Sequence, residues 1–246
     1  MNRNKFIKIT GLGGIGIAVF PQLSFSGTQS FSRNQLIGKG NQDLVGDTYT
    51  STMHREASEA LSKMKRAAAK ANIEIEVVSA YRSFQRQKEI FEGKYDRFTK
   101  QGLSPTDAIE KIIEYSTIPG TSRHHWGTDL DLIQANAPRP ASVLQAKHFH
   151  GNGPFCKFKA WMDEHAAEFG FYETYTDNAL RKGFAYEPWH FSYAPVSIPM
   201  LQAYKKLDLK QLVLEEKILG AEHFSEAFIE RYRANNILDI NPKLLS

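Results

Sequence analysis

The sequence predicts one globular domain in which helices are mixed with short strands, and three observations lead there. Hydrophobic residues make up 41% and charged residues 24% of the 246 positions, enough apolar material for one sizeable core. Several long segments repeat apolar side chains at the 3.6-residue period of a helix. Shorter ones alternate apolar and polar residues at a period of two, the mark of a strand with one buried face.

In chain order, residues 1–10 are polar and basic, residues 11–20 form an uncharged stretch rich in Gly, Ile and Val, and Ser24-Phe25-Ser26 sets small residues where a signal peptidase reads. The apolar run is too short to cross a bilayer core of about 30 Å as a permanent helix. Residues 1–26 are therefore expected to be a secretory signal peptide. The mature chain would be periplasmic or extracellular, with no stable membrane span after cleavage; an uncleaved anchor is the alternative. No cysteine stands near the cleavage site, which speaks against a lipid-anchored form. Residues 27–41, rich in Ser, Gly, Asn and Gln, read as a flexible approach.

Met53, Ala57, Ala60, Leu61, Met64 and Ala68 recur at helical spacing, so an amphipathic helix is expected over residues 51–71. Ile73, Ile75 and Val77 alternate with Glu74 and Glu76, a strand over residues 73–79. Helices follow over 84–97 and over 105–115, the latter opened by Ser104 as cap with Pro105 in its first position. Residues 128–133 alternate strictly, with Leu130 and Leu132 on one face and Asp129 and Asp131 on the other. Residues 158–169 form a helix ended by Gly170, whose Phe158, Trp161 and Phe169 read as core. Pro188 makes the backbone at Glu187 extend or turn, after which residues 189–193 form a strand with His190 and Ser192 facing one way. Beyond residue 205, Leu212, Leu214 and Ile218, then Phe224, Phe228 and Tyr232, predict a helical pair that packs on the domain or on a partner.

Charge and cysteine usage narrow the function. The formal charge is +4 and the pI about 9.0. Three of those charges, Arg3, Lys5 and Lys8, lie in the leader, which leaves about +1 and no argument for a nucleic-acid partner. The single cysteine, Cys156, cannot form an internal disulfide and reads as a small apolar residue between Phe155 and Phe158, not as a nucleophile.

Two carboxylates on one face of a buried strand need a purpose, and His124 lies just upstream, beyond a turn that Gly127 permits. A bend at Pro188 brings Glu187 beside His190. Two imidazoles, one carboxylate ligand and a spare carboxylate are what a catalytic zinc needs: three ligands, an open position and a base. Spacing leaves the ligand on this strand open between Asp129 and Asp131. His125 neighbours His124 but should point the opposite way, and His54, His148, His150, His165 and His223 read as ordinary solvated or hydrogen-bonded residues.

These segments resemble a known family. The run Pro119-Gly120-Thr121-Ser122-Arg123-His124-His125-Trp126-Gly127-Thr128-Asp129-Leu130-Asp131 is similar to the loop and strand of VanY-type D-alanyl-D-alanine carboxypeptidases, LAS-type zinc metallopeptidases. Their pattern runs Pro-Gly, Ser-x-His, Gly, then Asp seven positions after the His. Ser79-Ala80-Tyr81-Arg82-Ser83, with Gln87 downstream, resembles the family's Ser-Gly-Tyr-Arg-Ser signature, and Glu187-Pro188-Trp189-His190 its closing Glu-x-Trp-His. The likeness runs from about residue 34 to residue 194.

The resemblance implies an α+β fold: a small, mainly antiparallel sheet bearing zinc in a groove, helices on its other face, a catalytic domain over residues 42–204 and a C-terminal helical extension over 205–246. It implies that His124, Asp131 and His190 hold zinc, that Glu187 is the general base and that Arg82 stabilises the oxyanion. Ser122, Gln87, Tyr81, Ser83 and Trp189 would contact substrate, and the substrate would be the stem peptide of peptidoglycan, losing a C-terminal D-alanine. An L,D-carboxypeptidase, an endopeptidase or a non-catalytic wall-binding module are the alternatives. The pattern departs at Ala80, where Gly is usual, and at His125-Trp126, a bulky pair expected to reshape one wall of the pocket.

Overall fold

The computed structural model describes residues 30–246, so the expected signal peptide lies outside the described residues. The elements are α1 (Arg33–Leu36), β1 (Leu44–Val45), β2 (Met53–His54), α2 (Arg55–Lys70), β3 (Ile75–Ser79), α3 (Phe84–Lys100), α4 (Pro105–Ile113), β4 (Asp129–Gln134), α5 (Cys156–His165), β5 (Phe171–Glu173), β6 (His190–Tyr193), α6 (Ala194–Tyr204), α7 (Leu209–Glu215) and α8 (Glu226–Tyr232). The α+β class is as expected. Local chemistry starts the helices: Ser83 Oγ accepts the Arg86 N–H ahead of α3, and Ser104 caps α4 with Pro105 in its first turn.

The main sheet has the order β3-β4-β6-β5 and is antiparallel throughout; β1 and β2 form a separate two-stranded ribbon. One face of the main sheet is covered by α2 and α5. There Leu61 and Met64 meet Val77, Leu130, Leu132, Phe158 and Phe191 in one apolar cluster, with Trp161 and Phe169 at its margin. A second cluster gathers Phe91 of α3, Ile109 of α4, Met200 of α6, Leu212 of α7 and Tyr232 of α8. The site lies on the β4 face turned away from α2 and α5.

Two expectations change and one open alternative is decided. The segment predicted to be a flexible approach is folded from Ser32 onward: a capping box starts α1, Leu36 and Ile37 are buried, and the Trp126 indole N–H donates to the Leu36 carbonyl at 2.9 Å. Its polar composition hid two apolar anchors. The C-terminal residues pack on the domain itself and supply a large share of the second cluster. Cys156, expected as a small apolar residue, is half-buried at the start of α5 with its Sγ donating to the Gly151 carbonyl at 3.2 Å. Among the described residues no helix is long and apolar enough to cross a membrane.

Candidate metal centre and active-site cleft

Strand alternation sends Leu130 and Leu132 into the helix-covered core and Asp129 and Asp131 to the opposite face. Antiparallel register then sets Asp131 opposite His190 and Asp129 opposite Ser192, so residues far apart in sequence share that face. His124 arrives from the 3-10 turn Arg123–Trp126, which ends at Gly127 with φ +70°. A Cβ at Gly127 would lie 2.5 Å from Leu44 Cδ2 and 2.8 Å from the His54 nitrogen, so only glycine lets the chain turn back into β4 here.

His124, Asp131 and His190 each offer a ligand atom, all within 4.8 Å of one another. His124 Nδ1 donates to the Ala80 carbonyl at 2.8 Å, which leaves Nε2 free, 3.6 Å from Asp131 Oδ2. His190 Nδ1 lies 3.4 Å from Asp131 Oδ1 and 3.0 Å from Glu187 Oε2. Asp131 Oδ1 is buried without a hydrogen-bond partner, a costly state for a carboxylate. Burial, which the nearby His190 charge only partly offsets, pushes the Asp131 carboxyl up to about 7. A divalent cation among these three side chains supplies the missing partner, and two imidazoles with one carboxylate are a donor set suited to catalytic zinc. The residues fit such an ion.

Electrostatics differ from one member to the next. Burial, reinforced by the Arg82 charge, holds His124 well below the usual histidine range. Burial also works against the charged form of His190, but hydrogen bonds to Asp129 and Glu187 outweigh it and push the group up to about 10. Asp129 is opposed by burial as well, yet the Arg123 guanidinium and His190 hold it below the usual carboxylate range.

A cleft of about 200 Å³ opens over the cluster. Of the residues singled out from sequence, Arg82, Ser122, His124, Asp131, Glu187, Trp189 and His190 all line it. Arg82 comes from the connection between β3 and α3, and its backbone N–H donates to the His124 carbonyl at 3.1 Å.

Gln87, Tyr81 and Ser83 do not line this cleft, a departure from the expected substrate contacts. Gln87 is fully buried; its Oε1 accepts from Arg82 at 3.0 Å and its Nε2 donates to the Thr117 carbonyl at 2.7 Å, so it braces Arg82 from behind. The Tyr81 hydroxyl donates to the Gly38 carbonyl at 2.9 Å, and Ser83 spends its hydroxyl capping α3. His125 and Trp126 do not form a pocket wall either. The 3-10 turn points them into the interior, where His125 Nδ1 donates to the Arg82 carbonyl at 2.6 Å and Nε2 accepts the Gly120 N–H at 3.1 Å. With both nitrogens so engaged the ring is neutral, and burial lowers its pKa to about 4.

Sequence reasoning passed over Arg123, Thr174, Tyr175 and the task of Asp129. The Tyr175 ring stands edge-on to His190 with centroids 4.9 Å apart and lines the cleft. Arg123 sat inside the Ser-x-His segment and Ser192 on the His190 face, a usable signal; Thr174 and Tyr175 had none.

The fold and site define an α+β protein with a candidate metal centre at the floor of a cleft. Residues 50–196 match the family model for VanY: D-alanyl-D-alanine carboxypeptidase. A D-alanyl-D-alanine carboxypeptidase of Enterococcus faecalis is 28% identical over 142 residues, which is 57% of this chain and 48% of that protein. An uncharacterized protein of Haemophilus influenzae is 31% identical over 119 residues, 46% of this chain and 91% of that one. The structure of the LdcB LD-carboxypeptidase shares the fold, with a TM-score of 0.51 and 24% identity over 75% of this chain and 78% of that chain. This chain belongs to the VanY D-alanyl-D-alanine carboxypeptidase family. It matches about half the length of the Enterococcus relative.

Proposed function

We propose that this chain is an exported, zinc-dependent carboxypeptidase that removes a C-terminal D-alanine from peptidoglycan stem peptides. One observation carries the proposal: His124, Asp131 and His190 converge around an Asp131 oxygen that no protein group satisfies, with Glu187 alongside. Zinc bound there would act as a Lewis acid and lower the pKa of its water from about 15.7 toward about 7. The rest of the chemistry falls to side chains of the cleft.

Glu187 is part-exposed to the cleft, where its carboxylate can take a proton from the attacking water and pass it to the departing amine. Arg82 carries a permanent charge and a buried Nε–H without a protein partner. It meets the negative charge that grows on the scissile carbonyl oxygen, the kind of interaction that raises the rate because it strengthens in the transition state. Ser122 and Trp189 line the same cleft and would contact the peptide. The guanidinium of Arg123 also borders it, with Nε and NH2 held by Asp129 and Ser192 and NH1 without a protein partner; that one remaining donor suits a substrate that ends in a free carboxylate.

The test is D-alanine release from a pentapeptide stem by protein stripped of metal and then titrated with zinc. Release should require zinc, and Glu187→Ala should keep fold and zinc while losing about 10²- to 10⁴-fold in rate. Undiminished release by that variant, or by chelated protein, refutes the mechanism. Product analysis on a tetrapeptide separates D,D- from L,D-cleavage.

A further inference from the structure

We propose that Asp129 is a positioning residue for the metal centre: its carboxylate, anchored by Arg123 and Ser192, takes the Nε2–H of His190 and turns Nδ1 of that ring toward Asp131 and the ion. This role rests on the metal-centre assignment above and concerns a side chain that does not itself touch the ion.

The two carboxylates on the β4 face are in opposite states. Asp129 is fully buried and saturated with donors. Its Oδ1 accepts from Arg123 Nε at 2.8 Å, from His190 Nε2 at 3.1 Å and, more weakly, from Thr174 Oγ1 at 3.4 Å. Its Oδ2 accepts from Ser192 Oγ at 2.8 Å and from Thr128 Oγ1 at 2.9 Å. A carboxylate offers about four lone-pair sites, so this one has nothing left for a cation. Asp131, two residues on, keeps Oδ1 without any partner. One carboxylate is therefore spent on organising the site and the other is open for coordination.

The imidazole of His190 makes that division matter. A neutral ring carries one N–H and one lone pair, and whichever nitrogen donates to a carboxylate leaves the other to coordinate. Without an ion both ring nitrogens face carboxylates, Nε2 toward Asp129 and Nδ1 toward Glu187 Oε2 at 3.0 Å; an ion would take the place of the Nδ1 proton while Nε2 keeps donating to Asp129, and Nδ1 lies 3.4 Å from Asp131 Oδ1. A ring turned over about its Cβ–Cγ bond would lose the Asp129 bond and carry its lone pair away from His124 and Asp131.

The anchor is itself held. Arg123 NH2 donates to Ser192 Oγ at 2.7 Å while that hydroxyl donates to Asp129, and the guanidinium lies over the Trp126 ring 4.8 Å from its centroid. A buried anion is tolerable when paired and hydrogen-bonded in this way. Carboxylates that hold ligand histidines are commonly worth about 10- to 100-fold in metal affinity.

Cobalt(II) binding by the full chain tests the assignment, read as the visible absorption spectrum and as affinity in competition with a chelator, with zinc affinity measured by displacement. Three variants are compared: Asp129→Ala, the near-isosteric Asp129→Asn, and Asp129→Asn/Arg123→Met, which removes both buried charges together. Thermal unfolding of the metal-free proteins reports their folding separately. The expected result is a loss of about 10- to 100-fold in metal affinity and an altered cobalt spectrum in every variant that folds. The double variant should recover stability relative to Asp129→Asn without recovering affinity, which a merely structural ion pair would not produce. Wild-type affinity and spectrum in any folded variant overturn the assignment. A wild-type chain that binds neither metal overturns the metal centre and this role with it, an outcome distinct from unaltered variants of a metal-binding wild type.

Discussion

Replacing Tyr232 by phenylalanine measures how firmly the C-terminal helices hold the loop that leads into the site. Tyr232 is 1% exposed, and its hydroxyl accepts the Ile118 N–H at 3.1 Å. The same hydroxyl lies 2.8 Å from Thr121 Oγ1, whose own proton goes to the Ile118 carbonyl at 2.7 Å, so Tyr232 is the donor to Thr121. Phenylalanine keeps the ring packing and leaves a buried backbone N–H without a partner, at a cost of about 1–3 kcal/mol. In a protein of this size 1 kcal/mol moves Tm by about 2–4 °C, so the variant should melt roughly 2–12 °C lower. Thermal unfolding followed by circular dichroism is the assay. Tyr115→Phe is the control, since Tyr115 is 79% exposed and its substitution should stay within about 0.5 kcal/mol. If Tyr232→Phe and wild type melt together, these helices do not secure the residue 118–121 turn.

Gly127→Ala puts a Cβ into a left-handed residue hard against Leu44 and His54; it should cost more than the roughly 1–3 kcal/mol of backbone strain alone and lower the urea midpoint accordingly. Glu216 is opposed by burial but held below the usual glutamate range by Lys39 and Arg33. The stability gap between wild type and Glu216→Gln, below about 1 kcal/mol for such part-exposed partners, should therefore be complete above about pH 4.3 and fade as pH falls further. Zinc at about 100 times its Kd should stabilise the chain by about 2.7 kcal/mol in a thermal melt. A chelator should reverse that gain, and magnesium, which prefers oxygen ligands, should not reproduce it.

Local rules accounted for most elements. Alternation over residues 128–133 located β4 and the division of its faces, and Ser104-Pro105 marked the start of α4. Elements with little local signal escaped: β5 has three residues, and α6 carries Pro199 in its interior. The folded stretch around Leu36 was hidden by its polar neighbours, and its burial depends on Trp126, 90 residues away. Gln87 shows the same limit within the candidate site. A motif position says that the residue belongs near Arg82, and only packing shows it behind the arginine, not facing the cleft.

By itself the sequence determined which side chains could do the chemistry and which face of each strand or helix they occupy, because periods of two and 3.6 are properties of the local backbone. Spacing left Asp129 and Asp131 open and the family resemblance implies Asp131, but only the tertiary structure supplies the physical difference between them. Both share one strand face, and what separates them is their surroundings: His190, 61 residues beyond Asp129, gives its Nε2 to Asp129 and its Nδ1 to the Asp131 side. Cross-strand register and the buried Arg123 set that difference, and neither is encoded in the spacing of the two aspartates.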